Sequence, residues 1–127
     1  MQSGTRKIVQ LIFTLMLLHA FTGSRAQLLE DSLRQVLAQR NIPLSQRLET
    51  MDRLGQVVFF NTGWDEGLDI LRQSISLAAG MKDGQYRAHT YAMLAMSYNI
   101  MGDAPATQRY LDSAFWYVKR SNSKLMK

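Results

Sequence analysis

The sequence predicts an all-α fold, and three observations carry that reading. Apolar residues recur at helical spacing through five segments; Gly, Pro and Asn clusters separate those segments; and no stretch sustains the period-two alternation of a half-buried strand. A chain of 127 residues sets one domain as the expectation, with about 100 residues left for it once a leading segment is set aside.

Residues 1–26 read as a secretory signal. Arg6 and Lys7 precede an apolar run over residues 8–21, and small Ser24 and Ala26 follow at cleavage-type spacing. The run is 14 residues long and is broken by Gln10, Thr14 and His19, whereas a spanning helix needs about 20 apolar residues. Cleavage near Ala26 is therefore expected, giving an exported chain, periplasmic or secreted, that begins at Gln27. An uncleaved leader would anchor the same domain on the same side and is the sole membrane attachment expected.

A first helix over residues 28–40 presents Leu29, Leu33, Val36 and Leu37, and Asn41-Ile42-Pro43 ends it, because proline lacks an N–H and disfavours helix before it. Residues 27–44 thus form an N-terminal helix and linker. Ser45 is the expected N-cap of the second helix, which presents Leu48, Met51, Leu54, Gly55, Val58 and Phe59 before the break at Asn61-Thr62-Gly63. The third, over residues 64–79, starts with Asp65, Glu66 and Asp69 near the positive end of its dipole; its stripe is Leu68, Leu71, Ile75 and Ala78, and Gly80 is the expected stop. After a turn at Lys82-Asp83-Gly84, the fourth helix presents Tyr91, Leu94, Ala95 and Tyr98. A tight turn at Met101-Gly102-Asp103-Ala104 leads to the fifth, with Leu111, Ala114, Phe115 and Val118. Residues 121–127 form a basic tail.

Helices two and three align on helices four and five at an offset of 40 residues. Gly55 falls on Ala95, Val58 on Tyr98, Gly67 on Thr107, Leu71 on Leu111, Ser74 on Ala114 and Ile75 on Phe115, small on small and large on large. Two copies of a helix hairpin need that match, since small residues let helices approach where large ones fill the gap. The second hairpin resembles a tetratricopeptide repeat: Tyr91, Leu94, Ala95 and Tyr98 take the first-helix signature, Gly102-Asp103 the turn, and Thr107, Leu111 and Ala114 the second-helix signature. Lys119 stands where the family often has proline. The first hairpin fits more loosely, with Asp52 in place of an aromatic residue and Thr62 at or beside the turn glycine. The spacing resembles the long-helix variant of bacterial sensor and regulatory proteins. The resemblance implies a short solenoid over residues 45–120, as hairpins at about 45–81 and 85–120.

The resemblance also implies where a partner would sit. First helices of such repeats line a concave groove that holds an extended peptide or a partner helix, here Glu49, Asp52, Gln56 and Phe60 with His89, Ala92, Met96 and Asn99. The lining lacks the Lys and Asn ladder that clamps a peptide carboxylate. The last helix crowds Phe115, Trp116 and Tyr117 together, so self-association or docking of a further repeat through it is the second expected interface. Two hairpins and a lone helix fall short of the roughly three repeats normally needed, so a truncated or minimal member, or an assembling one, is expected.

Composition narrows the chemistry. The net charge of +5 falls to about +2 without Arg6, Lys7 and Arg25, and four of the remaining basic residues lie in the last nine positions, so nucleic acid is not an expected partner. There is no cysteine, and His89 is the sole histidine after the leader. A catalytic base needs an orienting carboxylate and a nucleophile, and no local spacing offers either. Asp65, Glu66 and Asp69 read as helix-start electrostatics. The expectation is a non-catalytic exported scaffold that binds a protein or peptide, with no cofactor and no metal. The alternative is a truncated extracytoplasmic sensory region of a signalling protein.

Overall fold

A computed structural model describes the backbone of residues 2–125 and the side chains of residues 3–19 and 25–122. Lys127 of the basic tail and the side chains of Ser24 and Lys124 lie outside the described residues. Helices account for the regular structure there: α1 (Gln2–Ala38), α2 (Leu44–Asn61), α3 (Trp64–Ala78), α4 (Gln85–Ile100) and α5 (Ala104–Leu125). The all-α reading holds, and successive helices pack as a helical bundle. Each helix contacts the next, and α2 also touches α4, so α3 lies against both of them.

The leader and the first expected helix are one element. α1 runs without a break through residues 22–26, between the apolar run of the leader and the helix expected from residue 28. At 1.5 Å per residue its 37 residues extend about 55 Å. Its apolar residues from Ile8 to Leu18 are exposed on all sides, while the C-terminal part packs through Leu33 and Leu37 against Leu54 and Val58 of α2. No helix among the described residues is long and apolar enough to cross a membrane.

Leu29, placed in the buried stripe by its spacing, is half exposed, and Glu30 is buried beside it. A buried carboxylate needs partners, and Glu30 has them. Arg34 donates to its Oε1 at 3.0 Å (Nε) and 2.8 Å (Nη2), and the Thr62 hydroxyl donates to Oε2 at 3.0 Å. Arg34 Nη2 also reaches Glu66 Oε1 at 3.0 Å, which ties α1 to the end of α2 and the start of α3. The hydrogen bond to Glu30 is the main reason that the Arg34 guanidinium is held above its ordinary value. Arg47 closes the other end of α1, donating to the carbonyls of Leu37 at 3.1 Å and Gln39 at 3.0 Å, two acceptors that a helix end leaves open.

Ser45 is not the cap of α2. The helix starts two residues earlier, at Leu44, Pro43 holds the N-cap position, and no side chain bonds there. Proline at φ −56° enters a helix without strain and needs no donor. Gly80 does not stop α3 by a left-handed turn; the one positive φ among the described residues is Gly102, at +80°, in the α4–α5 turn. There Asp103 Oδ1 accepts from the Ala106 N–H at 3.0 Å and caps α5. α5 continues to Leu125, through most of the segment expected as a tail.

The α2–α3 contact is close enough that glycine is required on it. A Cβ at Gly67 would lie 2.6 Å from the backbone N and Cα of Phe59, and one at Gly55 would lie 2.8 Å from Leu71. Phe59, Leu68, Leu71 and Leu94 form the main core there, with Tyr98 and Tyr110 packed on its edge. The α4–α5 contact is built differently, as a ladder of rings. Tyr98 stacks on Tyr110 (5.2 Å), Tyr110 on Tyr91 (6.1 Å) and Tyr91 on Tyr117 (5.6 Å), and Tyr117 meets Trp116 edge-on (4.7 Å). Burial pushes the Tyr91 phenol above its ordinary value, with Tyr117 adding to the shift.

Candidate functional site

The residues expected to line a groove fall on α2 and α4, the two helices that touch across α3, and Asp52 joins them. Glu49, Phe60, His89, Ala92, Met96 and Asn99 are exposed, and Gln56 is half-buried, its amide donating to Met93 Sδ at 3.4 Å. Asp52 departs from the expectation of a solvated groove wall. It is 5 % exposed and sits where three helices meet.

Its carboxylate is satisfied from three directions. Ser74 of α3 donates to Oδ1 at 2.7 Å, the Thr90 hydroxyl of α4 lies 2.9 Å from Oδ2 and 3.0 Å from Oδ1, and His89 Nδ1 lies 2.9 Å from Oδ2. Ser74 and Thr90 are themselves buried. An ionised carboxylate can only accept, so Nδ1 carries the proton and donates it. The imidazole is thus held by one nitrogen from below, while its side chain stays 65 % exposed. In the neutral imidazole Nε2 is then the lone-pair nitrogen. The arrangement presents an oriented ring on a helix pair that also exposes the adaptable apolar side chains Met96 and Phe60.

The orienting carboxylate that local spacing does not offer His89 comes from another helix, 37 residues away. Sequence reasoning missed Ser74 and Thr90 altogether: Ser74 is legible as a small residue of the repeat, and nothing in its spacing marks its hydroxyl. Both hydroxyls donate to Asp52, not to the imidazole, so the cluster orients His89 and places neither of them as a nucleophile on it. Among the described residues, no group of three His, Cys, Asp or Glu side chains converges as a metal site.

The second expected interface divides. Phe115 (62 % exposed) and Trp116 (51 %) remain on the surface, while Tyr117 turns inward onto Tyr91 and accepts a hydrogen bond from Arg87 Nη1 at 2.9 Å. Val118, expected in the buried stripe, is exposed too; Ala114 of that stripe is buried, and Ala106 and Tyr110 join it on the inner face. Compared with family models, curated proteins and solved structures, the chain matches none.

Proposed function

We propose that the chain is a non-catalytic, tetratricopeptide-like scaffold that is exported and binds an extended peptide or partner helix across the α2–α4 face. The observation that carries this reading is the Asp52–His89 pair. A buried carboxylate on one hairpin orients an exposed imidazole on the next, at a place where orientation adds nothing to the core. Fixing a side chain in advance lowers the entropy cost of binding. The order of contacts, with α2 beside α4 and α3 against both, supports the stacked-hairpin reading, as does the small-to-small match of Gly55 with Ala95.

A photo-crosslinking side chain at Met96 tests the binding face, with one at Gln108 on the exposed side of α5 as its control. The expected result is a captured partner from Met96 alone, lost in His89→Ala with little change in melting, since the imidazole is largely exposed and Asp52 keeps its Ser74 and Thr90 partners. Capture from Gln108 alone, or capture from Met96 that ignores His89→Ala, overturns the assignment. Export predicts a recovered chain whose mass starts at Gln27; an intact Met1 in the exported fraction would count against cleavage.

A further inference from the structure

On a different side of the molecule, the α3–α4 connection and the end of α5 enclose a cavity of about 360 Å³ that the binding-face reading does not use. That is within the range of small-ligand sites, about 300–1,000 Å³. From its composition we propose that this cavity binds a small aromatic carboxylate.

The floor comes first. Gly84 brings its bare backbone against α5: a Cβ there would lie 2.9 Å from Ser121 Oγ and 3.4 Å from the Tyr117 ring. Ser121 Oγ is shut off from solvent and meets no hydrogen-bond partner. A buried hydroxyl without a partner is uncommon in folded proteins, and the Ser121 residue is part of the cavity lining beneath the Gly84 backbone.

The walls specify the rest. Trp116 and Tyr117 supply ring faces and edges, and Met81 adds apolar surface. Arg87 lies 5.3 Å over the Tyr117 ring and is braced by the Ala78 carbonyl and the Tyr117 hydroxyl; Arg120 lies 5.0 Å over Trp116. Because Tyr117 Oη accepts from Arg87, its own proton is available to a ligand oxygen. Lys82 adds positive charge, and the one carboxylate of the lining, Asp83, has Oδ1 engaged by the Gln85 N–H at 2.9 Å. Cationic groups and the Tyr117 hydroxyl beside ring surfaces match a planar ring that bears a carboxylate, the ring against Trp116 and the oxygens toward Tyr117 and the cations of the lining.

Benzoate is the probe, followed by the Trp116 indole and Gly84 amide signals in NMR titrations of the whole chain. Benzyl alcohol (ring without charge) and acetate (charge without ring) are the comparison arms. A short peptide with a C-terminal Phe carboxylate separates a free ligand from a chain end. Saturable binding of benzoate or of the peptide is expected with a Kd on the order of 1 mM, at least about tenfold tighter than either comparison arm. Gly84→Ala, whose φ of −74° suits alanine, fills the floor and should weaken binding about tenfold. Arg120→Gln, which removes a cation of the lining beside Trp116, should weaken it several-fold with little change in melting. No saturable shift with either carboxylate, equal response to acetate, or affinity indifferent to Arg120→Gln overturns the proposal.

Discussion

Gly67→Ala is expected to lower the melting temperature by about 8 °C, the response of a domain of this size to a loss of about 2 kcal/mol. The added methyl would lie 2.6 Å from the N, Cα and Cβ of Phe59. Two of those atoms are backbone and the third is fixed to it, so no rotamer change relieves the contact. α2 and α3 must separate, and the residues that fill their contact, Phe59, Leu68 and Leu71, are all 2 % exposed or less. Overpacking a core in this way costs about 1–3 kcal/mol, occasionally more. Alanine recovers up to about 1 kcal/mol of helix propensity, which offsets part of the loss without reversing it. Gly63→Ala is the internal control. Its φ of −178° is ordinary extended backbone and a Cβ there meets nothing within 4 Å, so its melting should stay near wild type. Gly55→Ala should fall between the two, because its clash is with the Leu71 side chain at 2.8 Å. A Gly67→Ala protein that melts at or above wild type would refute this account of the α2–α3 contact.

Both glycines are legible in the sequence for a physical reason. Close helix packing demands small residues on the contact, and the offset of 40 places Gly55 and Gly67 opposite the small or mid-sized Ala95 and Thr107. The helix boundaries follow for the same kind of reason, since Pro43, Gly63 and Gly102 act locally. Polar contacts that cross helices are not legible. Leu29 and Glu30 differ by one position, about 100° on the helix, and periodicity alone turns Leu29 inward; of the partners that make room for Glu30, Arg34 and Thr62, the second lies 32 residues away in sequence. Val118 and Phe115 fail similarly. Their spacing suits a stripe, but the tyrosines at positions 91, 98, 110 and 117 take the α4–α5 contact and turn α5 so that Phe115 and Val118 face out. The face around His89 was legible as an assignment of helix positions, whereas the carboxylate that orients the imidazole was not.

That carboxylate gives the second large effect. Asp52→Ala is expected to cost about 3 kcal/mol, and Asp52→Asn about 1 kcal/mol, with a change in His89 that the alanine variant cannot show. Removing the carboxylate strands Ser74 Oγ in a site with no solvent, while Thr90 can fall back on the Tyr86 carbonyl, 3.0 Å away. The amide of asparagine retains one acceptor oxygen for the buried hydroxyls and turns its NH2 toward His89. Two donors cannot face each other, so Nδ1 must become the acceptor and the proton must move to Nε2. The second ring nitrogen of His89 then changes from acceptor to donor while the fold is largely kept. Chemical denaturation separates the two stabilities, and nitrogen-15 shifts of the imidazole at neutral pH report the tautomer. Wild type should show the Nδ1–H form and Asp52→Asn the Nε2–H form, with partner capture from Met96 falling in the asparagine variant. The same tautomer in both proteins, or an Asp52→Ala chain as stable as wild type, would show that the carboxylate neither orients the imidazole nor joins the hairpins.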